Sequence, residues 1–439
     1  MTSHPNETRR VSGGVPLRGE LTVPGDKSIS HRSIMFGSLA EGETVVYGFL
    51  HGEDNHATLN AFRAMGIEIA EEQGGVLRIS GRGLHGLQEP TDVLDCGNSG
   101  TTMRLMTGLL SGQKFFSVLS GDQYLRRRPM KRVVSPLASM GASIFGRGGG
   151  DLAPLAINGS RLQGVTYDSP IASAQVKSAL LLAGLYADSP TTVTEPHLSR
   201  DHSERMLRYF GAELETFETG VRIQPQSKLQ GREVHVPGDI SSAAFYLVAA
   251  SIVPGSELLL KNVGINPTRS GILDILDAMG ADIERLNPRE LSGEPVADLL
   301  VRSADLKGVE IGGEVVPRAI DEFPVVSVAA CFAAGQTVIR DARELRVKET
   351  DRIAAMTSEL EKLGARVEPR EDGMVIDGIE RLTGGEVVSH GDHRIAMSMA
   401  VAALRGEAQV SIADTGCTAT SFPGYWESLA QIGAEIADA

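Results

Sequence analysis

Lys27, Ser28 and Arg32 put a point charge, a hydroxyl and a planar guanidinium into one short stretch, Pro24-Gly25-Asp26-Lys27-Ser28-Ile29-Ser30-His31-Arg32. That set suits a phosphate or a carboxylate. The neighbours Ile29, Ile34, Met35 and Phe36 mark a buried helix, and a buried charge needs a partner. A second cluster, Asp95 to Arg104, carries Gly97, Asn98, Ser99, Gly100 and Thr101, where glycines allow close backbone approach to a ligand. Arg126, Arg127 and Arg128 follow, with Pro129 read as a helix start that aims Arg128 at the helix N-terminus. Ser173-Ala174-Gln175-Val176-Lys177 opens another apolar helix, and Ser199 and Arg200 come after the next strand. Later, Asp321 stands at a helix start, where a carboxylate is either a cap or a proton acceptor. In Arg346-Val347-Lys348-Glu349-Thr350-Asp351-Arg352, Lys348 and Arg352 are read as sharing a helical face at i,i+4. Glu349 beside Lys348 reads either as part of a solvated charged face or as an acid–base pair. His390 and His393 straddle a helix start at i,i+3, a poor zinc spacing, so no metal is expected. Cys96, Cys331 and Cys417 have no metal spacing either, and Cys331 reads as core.

An internal repeat must position these groups. Val23-Pro24-Gly25-Asp26 recurs as Val236-Pro237-Gly238-Asp239, and Ala64-Met65-Gly66 as Ala278-Met279-Gly280. A finer period ends a helix in an apolar residue and Gly at Met65-Gly66, Met140-Gly141, Phe210-Gly211, Met279-Gly280, Leu363-Gly364 and Ile432-Gly433. Glycine there is the left-handed cap. Six sheet-and-helix units are therefore expected, three per domain. A second helix of each unit, starting near Asp26, Asn98, Ser173, Asp239, Asp321 and Asp392, is apolar nearly all round and hence buried. Three parallel helix N-termini at one end of each domain make an anion-attracting surface.

Composition sets the outer bounds. The chain has 439 residues, a net charge of −14 and three cysteines. Non-specific nucleic-acid binding needs a broad basic face and is disfavoured. So few cysteines exclude a disulfide framework. Met1 to Arg10 is polar, with no apolar signal core, and no apolar run reaches the ~18 residues of a membrane span. A soluble, cytoplasmic, monomeric protein is expected. No Walker or dinucleotide-binding glycine loop is present.

Taken together, Gly25 to Arg32, Gly97-Asn98-Ser99-Gly100-Thr101, Arg128-Pro129-Met130, Ser173-Ala174-Gln175, Arg346 to Arg352 and Asp392-His393-Arg394 resemble the 5-enolpyruvylshikimate-3-phosphate synthases along the whole chain. The resemblance implies an α/β fold: a two-domain inside-out α/β barrel, each domain three sheet-and-helix units around buried parallel helices. It implies a first domain over 23–236, a second over 1–22 plus 237–439, and an active site in the cleft between them. It further implies transfer of enolpyruvyl from phosphoenolpyruvate to the 5-hydroxyl of shikimate 3-phosphate, with release of phosphate and no cofactor. By the same resemblance Lys27, Ser28, Arg32, Ser173, Ala174, Gln175, Ser199, Arg200, Asp321 and Lys348 meet shikimate 3-phosphate. Lys27, Asn98, Gly100, Arg128, Gln175, Glu349, Arg352 and Arg394 meet phosphoenolpyruvate. Asp321, Glu349 and Lys27 are the implied catalytic groups. Ala174, Glu344 and Thr420 depart from residues common in the family; the last leaves the donor site one Lys short. Arg200-Asp201-His202-Ser203-Glu204 and Asn266-Pro267-Thr268-Arg269 resemble the class II branch, whose members are often less sensitive to glyphosate. A nucleotide-sugar enolpyruvyl transferase is the nearest alternative; it would want a loop cysteine, and Cys96 precedes the glycine loop instead.

Overall fold

A computed structural model describes residues 7–406 and 408–438. The polar start, residues 1–6, lies outside the described residues. The described chain folds into six four-stranded sheets, each with strands in the same arrangement. A parallel edge strand pairs with a second strand, which is followed by two antiparallel neighbours. The sheets remain open, with no closed barrel of strands, so the "barrel" of the expected fold is a set of sheets around helices.

Two compact units result. One comprises Gly25–Val236 with Glu290–Glu294; the other comprises the chain before Gly25, Pro237–Arg289 and the chain from Pro295 onward. Each has its own hydrophobic core. The first unit's opening sheet takes its parallel edge strand, Glu233–His235, from the far end of that unit. The other unit's opening sheet takes its edge strand, Arg18–Leu21, from the start of the chain. Strand Arg9–Ser12 sits inside the last sheet, between Val410–Ala413 and Glu435–Asp438. Non-local pairing thus ties the start of the chain to both the fourth and the sixth sheet.

Two kinds of helix pack on these sheets. Lys27–Leu39, Gly100–Ser111 and Ala174–Gly184 are almost wholly buried in the first unit. Ile240–Ile252, Phe323–Cys331 and His393–Arg405 are buried in the other. Gly108 permits the closest crossing: a Cβ there would lie 2.1 Å from the carbonyl oxygen of Ala179. Each outer amphipathic helix ends at one of the six glycines anticipated, and Gly66, Gly141, Gly211, Gly280, Gly364 and Gly433 all have φ between +83° and +109°.

The caps of the buried helices follow the sequence at Asp26, Ser173, Asp239 and Asp392, whose side chains accept backbone N–H bonds. Two expectations shift by one residue. Ser99, not Asn98, caps the second helix, accepting from Thr102 N at 3.1 Å. Glu322, not Asp321, occupies the N-cap position of Phe323–Cys331, and its side chain makes no capping bond because it is held by arginines.

The first unit contains a buried His202–Glu294 pair, Nδ1 to Oε1 2.8 Å. Burial opposes charge on His202, but Glu294 outweighs it and raises the imidazole pKa above its ordinary value. The pair's contribution is therefore fully present below about pH 6.5, the unfolded value, and is lost as pH rises through the higher folded value. His202→Leu strands the Glu294 carboxylate and should cost about 3–5 kcal/mol at pH 6. The deficit should narrow toward pH 9. Urea midpoints of both proteins across that range check it.

Candidate active site

Lys27 begins the helix Lys27–Leu39 just after the cap Asp26, whose Oδ1 accepts from Ile29 N at 2.8 Å. Its ammonium lies 2.5 Å from Asp54, and its carbonyl accepts from Asn55 Nδ2 at 3.0 Å. Both partners lie in the first turn of Glu53–Ala64. One turn further on, Arg32 is buried and donates to Ser203 Oγ at 2.7 Å, Ser178 Oγ at 2.9 Å and the Ser28 carbonyl at 2.9 Å. Burial pushes its pKa down to about 10 against the pull of Glu204, Asp26 and Glu294, and the Arg200 charge adds to the lowering. Lys27, Ser28, Arg32 and Arg200 are thereby tied to one region of the first unit.

The glycine loop lies at the start of the second buried helix. Arg128 donates to Asn98 Oδ1 at 2.6 Å, and Asn98 Nδ2 donates to Asp122 at 2.7 Å. Arg128 ends a short 3-10 turn in extended backbone, and the next helix begins only at Lys131. Pro129 does not start that helix, so Arg128 is aimed by Asn98 and not by a helix end. A Cβ built at Gly100 would lie 2.9 Å from Arg104 Nη1 and 3.5 Å from Arg128 Nη1. Gly100 therefore lets two guanidinium groups approach the helix start together.

Arg104 was not singled out in the sequence, yet it fixes Gln175: Nη1 donates to Gln175 Oε1 at 2.7 Å, while Gln175 Nε2 donates to Thr101 Oγ1 at 3.0 Å. The first turns of the second and third buried helices are thus joined, and these helices point the same way. Glu195 is a second residue the sequence reading missed. Its carboxylate accepts from Ser173 N at 2.7 Å, from Ser199 Oγ at 2.7 and 2.8 Å, and from Ser199 N at 3.3 Å. Lys177, 2% exposed, bridges Glu195 at 2.9 Å and Glu204 at 2.8 Å. Burial works against that ammonium, but Glu204 and Glu195 outweigh it and raise its pKa. One buried carboxylate therefore sets both Ser173 and Ser199, with Ala174 beside them at the head of the third buried helix.

The other unit carries the remaining charges. Lys348 and Arg352 are not on one helix: a 3-10 turn, Arg343–Val347, ends before Lys348, whose backbone is extended, and Asp351 caps Arg352–Lys362. They meet nonetheless on Asp321 Oδ1, at 3.5 Å from Lys348 Nζ and 3.7 Å from Arg352 Nη1. Glu344 lies 3.4 Å from the same ammonium. Arg352, 1% exposed, is held by Asp392 at 2.8 Å and by Glu349 at 2.7 Å. Burial opposes its charge, yet Asp392, Glu349 and Asp321 raise its pKa. Its Nη1 makes no hydrogen bond. A buried guanidinium donor with no hydrogen-bond partner is costly and suits an arriving anion. Arg394 leans on Glu322 at 3.7 Å and Ser241 at 3.3 Å, and Arg269 grips Glu322 at 2.9 and 3.0 Å. Ser241, Glu322 and Arg394 lie at the starts of the three buried helices, so those starts converge within this unit. Cys96, Cys331 and Cys417 are buried, and burial pushes the Cys331 and Cys417 thiols up to about 12, unsuited to nucleophilic work.

The family model for EPSP synthase (3-phosphoshikimate 1-carboxyvinyltransferase) matches residues 11–429. The chain belongs to the EPSP synthase family. A curated 3-phosphoshikimate 1-carboxyvinyltransferase of Syntrophotalea carbinolica is 69% identical, covering 96% of this chain and 98% of that one. One of Geotalea uraniireducens is 67% identical, covering 97% and 99%. The solved EPSP synthase of Acinetobacter baumannii superposes with a TM-score of 0.90 at 48% identity, covering 98% of this chain and all of that one. The enolpyruvyl transferase NikO of Streptomyces tendae shares the fold, with a TM-score of 0.79 at 18% identity over 99% of each chain.

Asp392 decides how well the second unit tolerates its central cation. Burial favours the neutral acid, but Arg352 outweighs it and holds the Asp392 carboxyl below the usual carboxylate range. Its contribution is present above about pH 3.9 and is lost as pH falls through the lower folded value. Asp392→Asn should cost about 3–5 kcal/mol at pH 7. Thr350→Ala, which removes one hydroxyl donor at 3.3 Å from the same carboxylate, should cost about 1 kcal/mol. Urea denaturation of the two variants separates these expectations.

Proposed function

We propose that this chain transfers the enolpyruvyl group of phosphoenolpyruvate to the 5-hydroxyl of shikimate 3-phosphate, releasing phosphate, through the residues described above. The observation that carries the residue roles is the junction at Arg352. Two carboxylates, Asp321 and Glu349, lie at one buried guanidinium whose Nη1 makes no hydrogen bond, with Lys348 alongside. A donor phosphate or carboxylate completes that donor set.

In this reading Arg32, Ser28, Ser173, Ala174, Gln175, Ser199 and Arg200 hold the acceptor, and Asp321 with Lys348 receives its hydroxyl end. Lys27, Asn98, Gly100, Arg128, Gln175, Arg352 and Arg394 hold the donor. Asp321 takes the proton of the 5-hydroxyl while Glu349 delivers a proton to the methylene carbon of the donor. The new C–O bond gives a tetrahedral ketal. Glu349 then takes a proton back from the methyl group as the C–O bond to phosphate breaks, and the phosphate leaves with the proton held at Asp321. Both carboxylates return to their starting states, so the proton balance closes without a cofactor or a metal. The cations of the site counter the charge of two anions. Cytoplasmic location and action as a monomer complete the reading; no helix among the described residues is long and apolar enough to cross a membrane.

Phosphate release with phosphoenolpyruvate plus shikimate 3-phosphate, against the same assay with a nucleotide-sugar acceptor, tests the reaction. Release only with the sugar nucleotide overturns it. Glu349→Gln should lower kcat about 10²–10⁴-fold with the acceptor KM little changed. Lys27→Met should also lose most turnover while melting like the parent protein.

Gly100→Ala tests the donor side. Its methyl would press on Arg104 and Arg128. The expected result is a KM for phosphoenolpyruvate raised about ten- to hundredfold, with glyphosate inhibition weakened at least as much. Steady-state titration of both ligands measures it, and unchanged constants would remove Gly100 from the donor pocket.

A further inference from the structure

Away from those charged helix starts, the loop before Glu53–Ala64, that helix's first turn and the end of strand Glu68–Glu71 bring together His51, His56 and Glu71. One nitrogen of each imidazole and one carboxylate oxygen all lie within 4.8 Å of one another. Among the described residues this is the one such group of His, Cys, Asp or Glu. It lies in the first unit alone.

The hydrogen bonding around the group is that of a ligand set. His51 Nε2 lies 3.2 Å from the Gly75 carbonyl, which can only accept, so Nε2 carries the proton. Nδ1 is then the nitrogen left to ligate, and Glu71 Oε2 lies 3.8 Å from it. A metal ion between Nδ1 and Oε2 would bond to both. The other oxygen of Glu71 is occupied, accepting from Arg63 Nη2 at 3.1 Å, so Oε2 is left turned toward the histidines. The His51 and His56 rings are 5.4 Å apart, and the buried Phe49 ring lies edge-on to both, at 5.0 and 6.4 Å.

We propose that His51, His56 and Glu71 bind a borderline divalent transition ion of the zinc class, with water completing a tetrahedral shell. Ligands about 2.1 Å from a tetrahedral ion stand about 3.4 Å apart, so the 3.8 Å pair is nearly in place and the third donor needs a side-chain shift of up to about 1.4 Å. A ligating histidine that donates its second N–H to a backbone carbonyl is the usual outer-shell arrangement. Two imidazoles and one carboxylate favour zinc, cobalt or nickel over calcium or magnesium. His51 and His56 bracket Asp54 and Asn55, the two residues that hold Lys27. A bound ion would staple that helix start in place, a structural role apart from the proposed chemistry.

The test uses the untagged full chain stripped by a chelator. Titration with cobalt(II) should give a saturable visible absorption at one equivalent, abolished by zinc(II) in competition. His51→Ala and His56→Ala should each abolish it, and Glu71→Gln should weaken binding about tenfold or more. Zinc(II) should raise the melting temperature of the parent protein and leave that of His56→Ala unchanged. Cobalt binding that persists in both histidine variants, or no saturation at one equivalent in a parent protein of unchanged fold, overturns the site.

Discussion

A charge buried without a partner is the costliest thing this chain could make, and Arg352 is where that cost is met. The guanidinium is 1% exposed, and Asp392, itself fully enclosed, lies 2.8 Å away. The same carboxylate caps the last buried helix, accepting from Arg394 N at 2.9 Å. One residue thus neutralises a cation and satisfies a helix end, and it can do both only because the helix is buried with its start at the site. The first unit solves the same problem with other residues. Lys177 is held by Glu195 and Glu204, and Glu195 passes the constraint on to Ser173 and Ser199. Each gathering of cations is therefore stabilised from behind by buried carboxylates, so it can exist before any anionic substrate arrives.

That arrangement explains why the repeat matters. A sheet-and-helix unit with an all-apolar helix cannot bury itself alone. Three together enclose their helices, and the starts of those helices then share one end. In the first unit Gln175 and Thr101 join two such starts; in the other, Ser241, Glu322 and Arg394 join all three. Convergence of helix dipoles follows from the packing, and the side-chain cations add to it.

Much of this was legible because it is local. A left-handed glycine after a helix and an Asp or Ser before one are decided within a few residues, and they stand at Gly66 or Gly364 and at Asp26 or Asp392 as the sequence implies. Asn98 and Asp321 show the limit of that logic. Each is a good cap, but its neighbour takes the position while the residue itself is drawn off by a distant charge, Arg128 for Asn98 and Lys348 for Asp321. The i,i+4 reading of Lys348 and Arg352 failed in the same way: the chain leaves the 3-10 turn before Lys348, and Asp321 gathers the two cations instead. Asp54, Arg104 and Glu195 stand 27, 71 and 22 residues from Lys27, Gln175 and Ser173, which they hold. No spacing rule reaches that far, and only the folded chain shows them.

The three carboxylates around Arg352 differ in burial. Asp392 has no exposed side-chain surface and is bound to the guanidinium edge, so its proton affinity is lowered and it stays ionised. A group so held can orient but cannot exchange protons during turnover. Glu349 meets the same arginine through a single contact with a third of its side chain exposed. Asp321 stands farther off, at 3.7 Å, and 16% exposed. In the proposed reaction these two, the more exposed of the three, are the ones that gain and lose a proton, while the Arg352–Asp392 pair stays intact. On that proposal, one buried arginine serves the structure and the reaction together because its permanent counter-ion is separate from the proton carriers.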